Sequence, residues 1–462
     1  MSTLKVNKIR DNSGSTDAIV LDPSGGAVLS GVTTISTARV TTGITSTSLQ
    51  VGAAVTITES GIEASGVGIT CANINGAAIS GRRRLNVNGA MEVAQYYDKV
   101  GAITDSGYYA VDRMRVSTNG VDEAATISQS DVASGTSPYT EGFRRAVKIQ
   151  NGNQTSGAGA EDRVVLEHRF EHQDIASSGW NYTSTTSFIT VQFWVKSSVA
   201  QTYFGRFTSQ TGTLKTYPFS FALTADTWTK VVKTIPGHAD LSFTAGSHGN
   251  GFLFELSMFR GTDTTGSVSV DEWHTYNAAT RTPDQTSTWY TTNDATFEVT
   301  GLQIEVGSQA TAFEHRTYGD ELLLCQRYFI MFGGDVTAWR LGHSWISTAS
   351  ASYCLFQLPT TMRKKPTQIY TTGTAANYQV HGASSASAAG VQIVNCNAVP
   401  TIHSQSTKHI VQMVTNTAGG LITGRAAWFR SSASSVYIGC LLYTSDAADE
   451  GLGVDLGGRR II

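Results

Sequence analysis

Aromatic residues are missing from the first part of this chain, because no Phe, Trp or Tyr occurs before Tyr96. Charge is also scarce there: residues 27–81 contain only Arg39, Glu59 and Glu63. Single aliphatic residues recur among Thr, Ser, Gly and Ala. One copy of such a segment cannot bury enough apolar surface to offset an ordering cost of about 1–2 kcal/mol per residue.

Because a single copy cannot fold alone, two structures are possible for residues 27–81. The segment is either a flexible linker, or it forms β-strands that are repeated around a symmetry axis by identical chains. Enrichment in β-branched residues and scarcity of charge favour the second. The sequence therefore predicts an extended β shaft, in which the chains of a homotrimer bury their aliphatic side chains on a shared axis.

The sequence lacks the usual signals of membrane proteins, nucleic-acid-binding proteins and zinc- or disulfide-stabilised domains. No apolar run reaches the roughly 18 residues of a membrane span, so we expect no membrane insertion. The net charge of −3 is unlike the basic domains that bind nucleic acid. The N-terminus has no apolar signal segment. The cysteines stand singly, without C-x-x-C, which favours neither zinc nor a disulfide framework and fits assembly in a reducing cytoplasm; they are Cys71, Cys325, Cys354, Cys396 and Cys440.

Alternating strands with many aromatic residues follow Tyr96. In FITVQFWVK, the residues Ile189, Val191, Phe193 and Val195 share one face, as in a half-buried antiparallel strand. Several such strands, separated by turn residues, predict a jelly-roll β-sandwich over residues 82–317. The fold class is thus all-β: an extended N-terminal shaft, an antiparallel sandwich and a small C-terminal β-domain.

The C-terminal part divides into two further segments. Residues 318–439 are predicted to form a helical connector, YGDELLLCQRYF, followed by the small β-domain. Its segment MRKK, Met362–Lys365, is interpreted as an exposed basic turn, with contact to an anionic cell-surface polymer as the alternative. Residues 440–462 resemble the translation of sequencing adapters, so we interpret them as an artefactual tail and expect the domain to be truncated near Gly439.

Catalytic patterns are weak. HRFEH has the spacing of a zinc metallopeptidase variant through His168, Glu171 and His172, but the alternation around it indicates a strand with partly exposed histidines. Carboxylate pairs such as Asp271–Glu272 or Glu298 with Glu305 could serve a glycan hydrolase. The chain lacks the regular rungs of a large parallel β-helix, so no enzyme is predicted. No cofactor is required, although Asp263 and Asp271 near Gly-rich turns could bind calcium.

Glycan binding needs flat aromatic faces beside planar polar groups. Aromatic and polar residues in turn-rich segments are the candidate ligand-binding set, although packing inside the sandwich is the alternative for each of them. They are Trp180, Tyr182, Trp273, Tyr276, Trp289, Tyr290, Asn293 and Asp294.

Several phrases together resemble tail-fibre and tail-associated proteins of tailed phages. They are the opening MSTLKVNKIRDNSG, the pair RRRLNVNGAMEVAQ and SGYYAVDRMRVS, and later FWVKS and TFEVTGLQIEVGSQATAFEHRTYGDELLLCQRYF. In the family's jelly-roll module, "NGAM–VAQ" precedes a "DRW"-like phrase. Here these are Asn88–Met91 with Val93–Gln95, and Asp112–Met114. Met114 departs from the more usual Trp.

The resemblance implies a virion protein of a phage tail fibre. Residues 1–26 would attach it to baseplate or tail proteins, and three copies would recognise host-surface polysaccharide by multivalent adhesion. It would act in the virion tail after assembly in the host cytoplasm. A tailspike-like glycan depolymerase and a bacterial adhesin with a carbohydrate-binding module are the alternatives.

Overall fold

The computed structural model of the chain divides into two compact units, Met1–Cys71 and Ala72–Ile462. The structure describes residues 83–95, 102–103, 106–334, 340–366, 368–371, 373–383, 391–432 and 436–441, together with the backbone of short strands before residue 79. It is an all-β structure built from antiparallel sheets. Within the described residues, no helix has the length and apolar character needed to cross a membrane.

The N-terminal strands form small antiparallel sheets. One contains β1 (Lys8–Arg10), β2 (Asp17–Leu21) and β3 (Ala27–Leu29), and another contains β4 (Ser48–Val51), β5 (Val55–Thr58) and β6 (Gly61–Ala64). In the second unit, β7 (Asn73–Ile74) pairs with β8 (Ala77–Ala78). The rest of residues 1–81 lies outside the described residues, and the trimeric shaft stays a prediction.

Two antiparallel sheets form the predicted β-sandwich. Its strands are β9 (Ala102–Ile103), β10 (Gly107–Tyr108), β11 (Arg115–Asn119), β12 (Ala125–Asp131), β13 (Arg145–Gln150), β14 (Arg163–Glu171), β15 (Phe188–Ser197), β16 (Gln201–Ser209), β17 (Lys215–Leu223), β18 (Thr229–Pro236), β19 (Asn250–Arg260), β20 (His274–Thr275) and β21 (Thr296–Val306). The front sheet has the order β10-β11-β14-β19-β16-β17-β20, and the back sheet has the order β18-β15-β21-β13-β12-β9.

Aromatic rings from the front sheet and β15 fill the core. Phe207 and Phe252 stack with ring centroids 5.2 Å apart, and Phe193 meets Phe254 at 6.0 Å. The predicted inward face of β15 is confirmed, since its four apolar residues are fully buried. The opposite face is covered as well: Gln192 Nε2 donates to the Thr311 carbonyl oxygen, and Trp194 packs in a small apolar cluster with Phe143.

The phrases that carry the family resemblance meet in one buried polar cluster, the junction network. Asn88 takes a positive φ of 58°, its Nδ2 donates to the Val93 and Asp112 carbonyl oxygens, and its Oδ1 accepts from Val93 N. Gln95 donates from its backbone N and its Nε2 to the Asp112 carboxylate, at 2.7 and 2.6 Å. Burial raises the pKa of Asp112 to about 7, although these hydrogen bonds act in the opposite direction. The phrases therefore have a structural role here.

The described residues of the second unit contain four short α-helices: α1 (Ser137–Thr140), α2 (His172–Ala176), α3 (Thr288–Thr291) and α4 (Tyr318–Gln326). The predicted connector helix is α4. Thr317 caps it by accepting from Asp320 N at 3.2 Å, as expected at a helix start. Glu321 in its first turn binds the Arg84 guanidinium and the Asn88 backbone N–H, and so joins the end of the sandwich to its beginning.

The C-terminal β-domain begins directly after α4. Its strands are β22 (Phe329–Gly334), β23 (Arg340–Thr348), β24 (Ala351–Gln357), β25 (Gln368–Tyr370), β26 (Tyr378–Ala383), β27 (Val391–Asn395), β28 (Thr401–Ile402), β29 (Ile410–Asn416), β30 (Ala426–Ser431) and β31 (Val436–Leu441), with a 3-10 helix at Ala375–Asn377. They form sheets ordered β27-β26-β30-β23-β24-β29-β28 and β22-β31-β25. Strand β31 extends to Leu441; the remaining residues of the proposed artefactual tail lie outside the described residues.

Ion pairs and hydrogen bonds attach this domain to the sandwich. Arg327 donates to both oxygens of Glu171, at 2.7 and 2.8 Å, and Arg363 Nη1 donates to the His248 carbonyl oxygen at 2.6 Å. The interpretation of MRKK as an exposed turn is wrong for Met362 and Arg363, which are buried. They are buried because this segment packs against the sandwich and the domain's own core.

Candidate functional site

A polar cleft of about 170 Å³ opens on the front sheet, and we call it the arginine cleft. Arginines dominate its lining, together with one carboxylate, one aromatic ring and several neutral residues. The lining residues are Arg115, Ser117, Arg163, Glu167, Arg169, Arg206, Thr208, Gln210, Asn250, Leu253, Arg260, Tyr276 and Arg281.

Strand alternation places these side chains outside the sandwich core. In β14, Val164, Leu166, His168 and Phe170 are buried, with Val164, Leu166 and Phe170 in the apolar core cluster. The residues between them therefore project to the opposite face, where Arg163, Glu167 and Arg169 line the cleft.

One row of charged residues crosses four strands of the front sheet. Arg115 on β11 pairs in register with Glu167 on β14, Glu167 with Glu255 on β19, and Glu255 with Arg206 on β16. Arg115 Nη1 lies 2.8 Å from Glu167 Oε2, and Arg206 Nη2 lies 2.7 Å from Glu255 Oε2.

Two further arginines complete the neutralisation of these carboxylates. Arg169 Nη2 lies 3.1 Å from Glu167 Oε2, and Arg260 donates to both oxygens of Glu255, at 3.0 and 2.7 Å. Burial alone would raise the pKa of either carboxyl. For Glu255, Arg206 and Arg260 outweigh burial and hold the pKa far below its usual range. For Glu167, Arg115 and Arg169 also produce a lowered pKa.

Positive charge is left in excess at Arg163 and Arg281. Neither forms an ion pair with any carboxylate in the part of the chain that the structure describes; Arg163 Nε donates to Ser117 Oγ and Arg281 Nε to the Ala278 carbonyl oxygen. Burial and then the neighbouring Arg260 lower the pKa of Arg163. Burial, Arg260 and Arg206 lower the pKa of Arg281 to about 10. Burial is the largest cause of both shifts, and the neighbouring arginines add to it.

Unsatisfied donors and one aromatic ring complete the site. Arg206 Nε and Arg260 Nη1 are buried and have no hydrogen-bond partner among the described residues. The partly exposed Tyr276 ring lies beside the arginines, with the guanidinium carbons of Arg206 and Arg281 each 5.8 Å from its centroid. The cleft lining therefore combines arginine side chains with one partly exposed aromatic ring.

Of the eight residues predicted to bind glycan, only Tyr276 lines the arginine cleft. Trp180, Trp289 and Tyr290 are buried in the core, where their rings offer no face to a ligand. Packing decides this outcome: Trp180 lies among Phe243 and Phe252, and Tyr290 stacks on Phe259 at 4.6 Å.

The other predicted glycan residues lie apart from the cleft lining. Tyr182 is half-buried against Phe243, and Trp273 donates from Nε1 to the Pro236 carbonyl oxygen at 2.7 Å. Asn293 and Asp294 are exposed before β21, with Asp294 accepting from Gln150 Nε2 at 2.7 Å.

The HRFEH segment forms the end of β14 and the start of α2, which confirms the strand interpretation for His168. His168 and His172 are both buried. Among the described residues, no three His, Cys, Asp or Glu side chains converge as metal ligands. Asp271 pairs with Lys233 at 3.2 Å. Calcium binding by Asp263 and Asp271 stays a prediction.

The sequence did carry a signal for the cleft. A single charge stands inside an otherwise apolar or aromatic strand in YFGRFT (Arg206) and GFLFELSMF (Glu255). Buried charges need partners, so several isolated charges in neighbouring strands indicate a paired cluster on one sheet face.

No protein-family model matches the sequence, and no curated protein matches it. Solved structures with weak similarity include the enzymatically active domain of a bacteriophage CBA120 tailspike protein, at 7% identity and a TM-score of 0.25. That match covers 48% of this chain but only 21% of the tailspike chain.

Two sugar-binding proteins show similarly weak likeness. A putative sugar binding protein from Bacteroides thetaiotaomicron matches at 10% identity and a TM-score of 0.26, over 48% of this chain and 99% of its own. The family 11 carbohydrate-binding module of a Clostridium thermocellum cellulase matches at 13% identity and 0.22, over 47% and 99%. At TM-scores this low, these likenesses carry no argument about function.

Proposed function

We propose that this protein is a phage tail-fibre component that binds glycans of the host surface through the arginine cleft, without cleaving them. The observation that carries the proposal is an open cleft in which the Tyr276 ring lies beside planar guanidinium groups. A sugar ring can place its CH groups on an aromatic face while fixed donors reach its oxygen atoms.

The charge state of the carboxylates supports binding without catalysis. A glycosidase needs one carboxylic acid with a raised pKa that can protonate the leaving group. Glu167 in the cleft lining and Glu255, which binds Arg206 and Arg260, both have lowered pKa values, which favours their ionised forms. Arginines bind both oxygens of Glu255 and Oε2 of Glu167, which suits a structural role better than proton transfer.

Assembly as a homotrimer in the phage tail is part of the same proposal. The aromatic-free residues 27–81 and the resemblance of the opening phrases support it. Three identical clefts would raise avidity, because the second and third contacts occur at a high effective concentration. Sedimentation of the full chain is expected to give a trimer; a monomer would refute this part.

The test of glycan binding uses polysaccharide isolated from host cells, immobilised on a sensor surface. The wild-type protein is expected to bind, and Tyr276→Ala to bind about five- to tenfold more weakly, since an aromatic contact of this kind contributes on the order of 1 kcal/mol. The matched control is Trp345→Ala, which removes an exposed ring of the C-terminal β-domain. An assay for new reducing ends should stay negative; their appearance would establish an enzyme instead.

A further inference from the structure

We infer that the ligand of the arginine cleft is an acidic glycan, one whose sugar rings carry carboxylate, sulfate or phosphate groups. This inference rests on the proposed function and specifies its ligand class. The carrying observation is a charge imbalance in a confined space: six arginines and one carboxylate, Glu167, line the cleft, and Glu255 binds two of these arginines.

The ion pairs show which arginines have a carboxylate partner and which remain available to a ligand. Arg115 and Arg169 neutralise Glu167, and Arg206 and Arg260 bind Glu255. Arg163 and Arg281 are left without a carboxylate partner among the described residues. Arg260 acts on Arg163, and Arg260 and Arg206 act on Arg281, as like-charge neighbours in the cleft lining, and a bound anion would offset this repulsion.

The buried arginines supply the geometry for an oxyanion. Arg206 and Arg260 are held by the same carboxylate, Glu255, and each keeps one buried N–H group without a partner among the described residues. The contacts with Glu255 hold both guanidinium groups in place in the cleft lining, and planar guanidinium groups pair well with the oxygens of carboxylate, sulfate or phosphate. Little side-chain entropy remains to be lost on binding.

Tyr276 lies where a sugar ring stacked on it would be close to the positively charged arginines. Its centroid is 5.8 Å from the guanidinium carbons of both Arg206 and Arg281. A sugar stacked on Tyr276 would therefore hold an acidic substituent within reach of these two arginines. Tyr276 is the one aromatic residue among the cleft-lining residues, whereas a single-stranded nucleic acid would favour several stacking rings.

Direct binding measurements with four matched probes test the inference. They are a polyuronate, the same polymer after chemical reduction of its carboxyl groups to alcohols, a sulfated polysaccharide and a phosphate-substituted polysaccharide. We expect at least one acidic polymer to bind and the carboxyl-reduced polymer to bind about tenfold more weakly or not at all, since charge-assisted hydrogen bonds are lost. Binding should weaken as salt is raised.

Variants assign the binding to the cleft. Arg163→Gln and Arg281→Gln should each weaken binding of the acidic polymer about tenfold, because each removes a charge-assisted contact. Their melting temperatures should equal or exceed that of the wild type, since each also removes repulsion. The control Arg145→Gln removes a surface arginine that pairs with Asp131 and should leave glycan binding unchanged.

The possible failures are distinguishable. Equal binding of the polyuronate and its carboxyl-reduced form would overturn the acidic-ligand inference while leaving glycan binding intact. No binding to these polymers or to host polysaccharide would overturn the proposed function as well. Inorganic polyphosphate bound as tightly as the acidic glycans would show that the cleft recognises charge without a sugar, and would overturn the inference.

Discussion

Glu167 and Glu255 stand directly opposite each other on adjacent strands of the front sheet. Like charges in this position ordinarily destabilise a sheet. Here Arg115 and Arg206 flank the pair in the same row, and Arg169 and Arg260 add further contacts. The carboxylates therefore organise the arginines, and the cleft depends on them for its shape.

Removing the charge of Glu255 should destabilise the protein strongly. In Glu255→Gln, the buried Arg206 and Arg260 lose their shared counter-charge, which we expect to lower the free energy of unfolding by about 3–5 kcal/mol. Urea denaturation measures the change. The control Asp131→Asn breaks the exposed pair with Arg145 and should cost less than about 1 kcal/mol. Equal effects of the two substitutions would contradict the assigned role.

Acid should destabilise the wild-type protein through the same carboxylates. The pKa values of Glu255 and Glu167 are lower in the folded protein than their ordinary value. Their contribution is therefore fully present above about pH 4.5 and is lost as the pH falls below it, because the unfolded chain binds protons first. Melting temperatures from pH 6 to pH 3 are expected to fall less steeply in Glu255→Gln; parallel curves would refute this.

Asp112 should produce the opposite pH dependence. Burial raises its folded-state pKa to about 7, so the folded protein retains a proton that the unfolded chain releases near pH 4. The raised pKa of Asp112 therefore contributes up to about 4 kcal/mol to the free energy of unfolding. This contribution is fully present below pH 4 and is lost as the pH rises through 7. The Asp112→Asn variant should lack this component when unfolding is measured from pH 4 to pH 8. The quantity to compare is the change in the free energy of unfolding with pH in the wild type and in Asp112→Asn, because the absolute stabilities of the two proteins also differ for other reasons.

Two glycine substitutions should have opposite effects on stability. A Cβ added at Gly205 would lie 2.2 Å from Cζ of the fully buried Phe219, so Gly205→Ala is expected to cost about 1–3 kcal/mol through overpacking. At Gly319 in α4, a Cβ would meet no atom within 4 Å. There Gly319→Ala should gain about 0.5–1 kcal/mol from helix propensity. Thermal denaturation of both variants would show whether the signs differ.

The strand β15 and the helix α4 are predicted well from the sequence, because strand alternation and helix-start signals depend on residues that are neighbours in the chain. The alternation in FITVQFWVK correctly gives the inward face of β15, and the acidic first turn of YGDELLLCQRYF correctly marks α4. The covering of the outer face of β15 depends on Thr311 and Phe143. These residues are distant in sequence, so strand periodicity alone cannot reveal the contact.

The candidate site is far less predictable. Aromatic residues in turn-rich segments suggest exposed rings, yet Trp289 and Tyr290 belong to a short helix whose rings complete the core. The cleft combines residues from four strands and two loops, and its row of charges exists only through the register of those strands. Sequence shows the isolated charges, but it does not show that Arg206 and Arg260 share Glu255.

The Arg84–Glu321 contact also determines how mechanical load would pass through the molecule. Because the chain enters and leaves the sandwich at this contact, tension applied to the chain before Arg84 and to the C-terminal β-domain would act first on the hydrogen bonds of Glu321 with Arg84 and Asn88. The strands that carry the arginine cleft lie in the chain between these two attachment points.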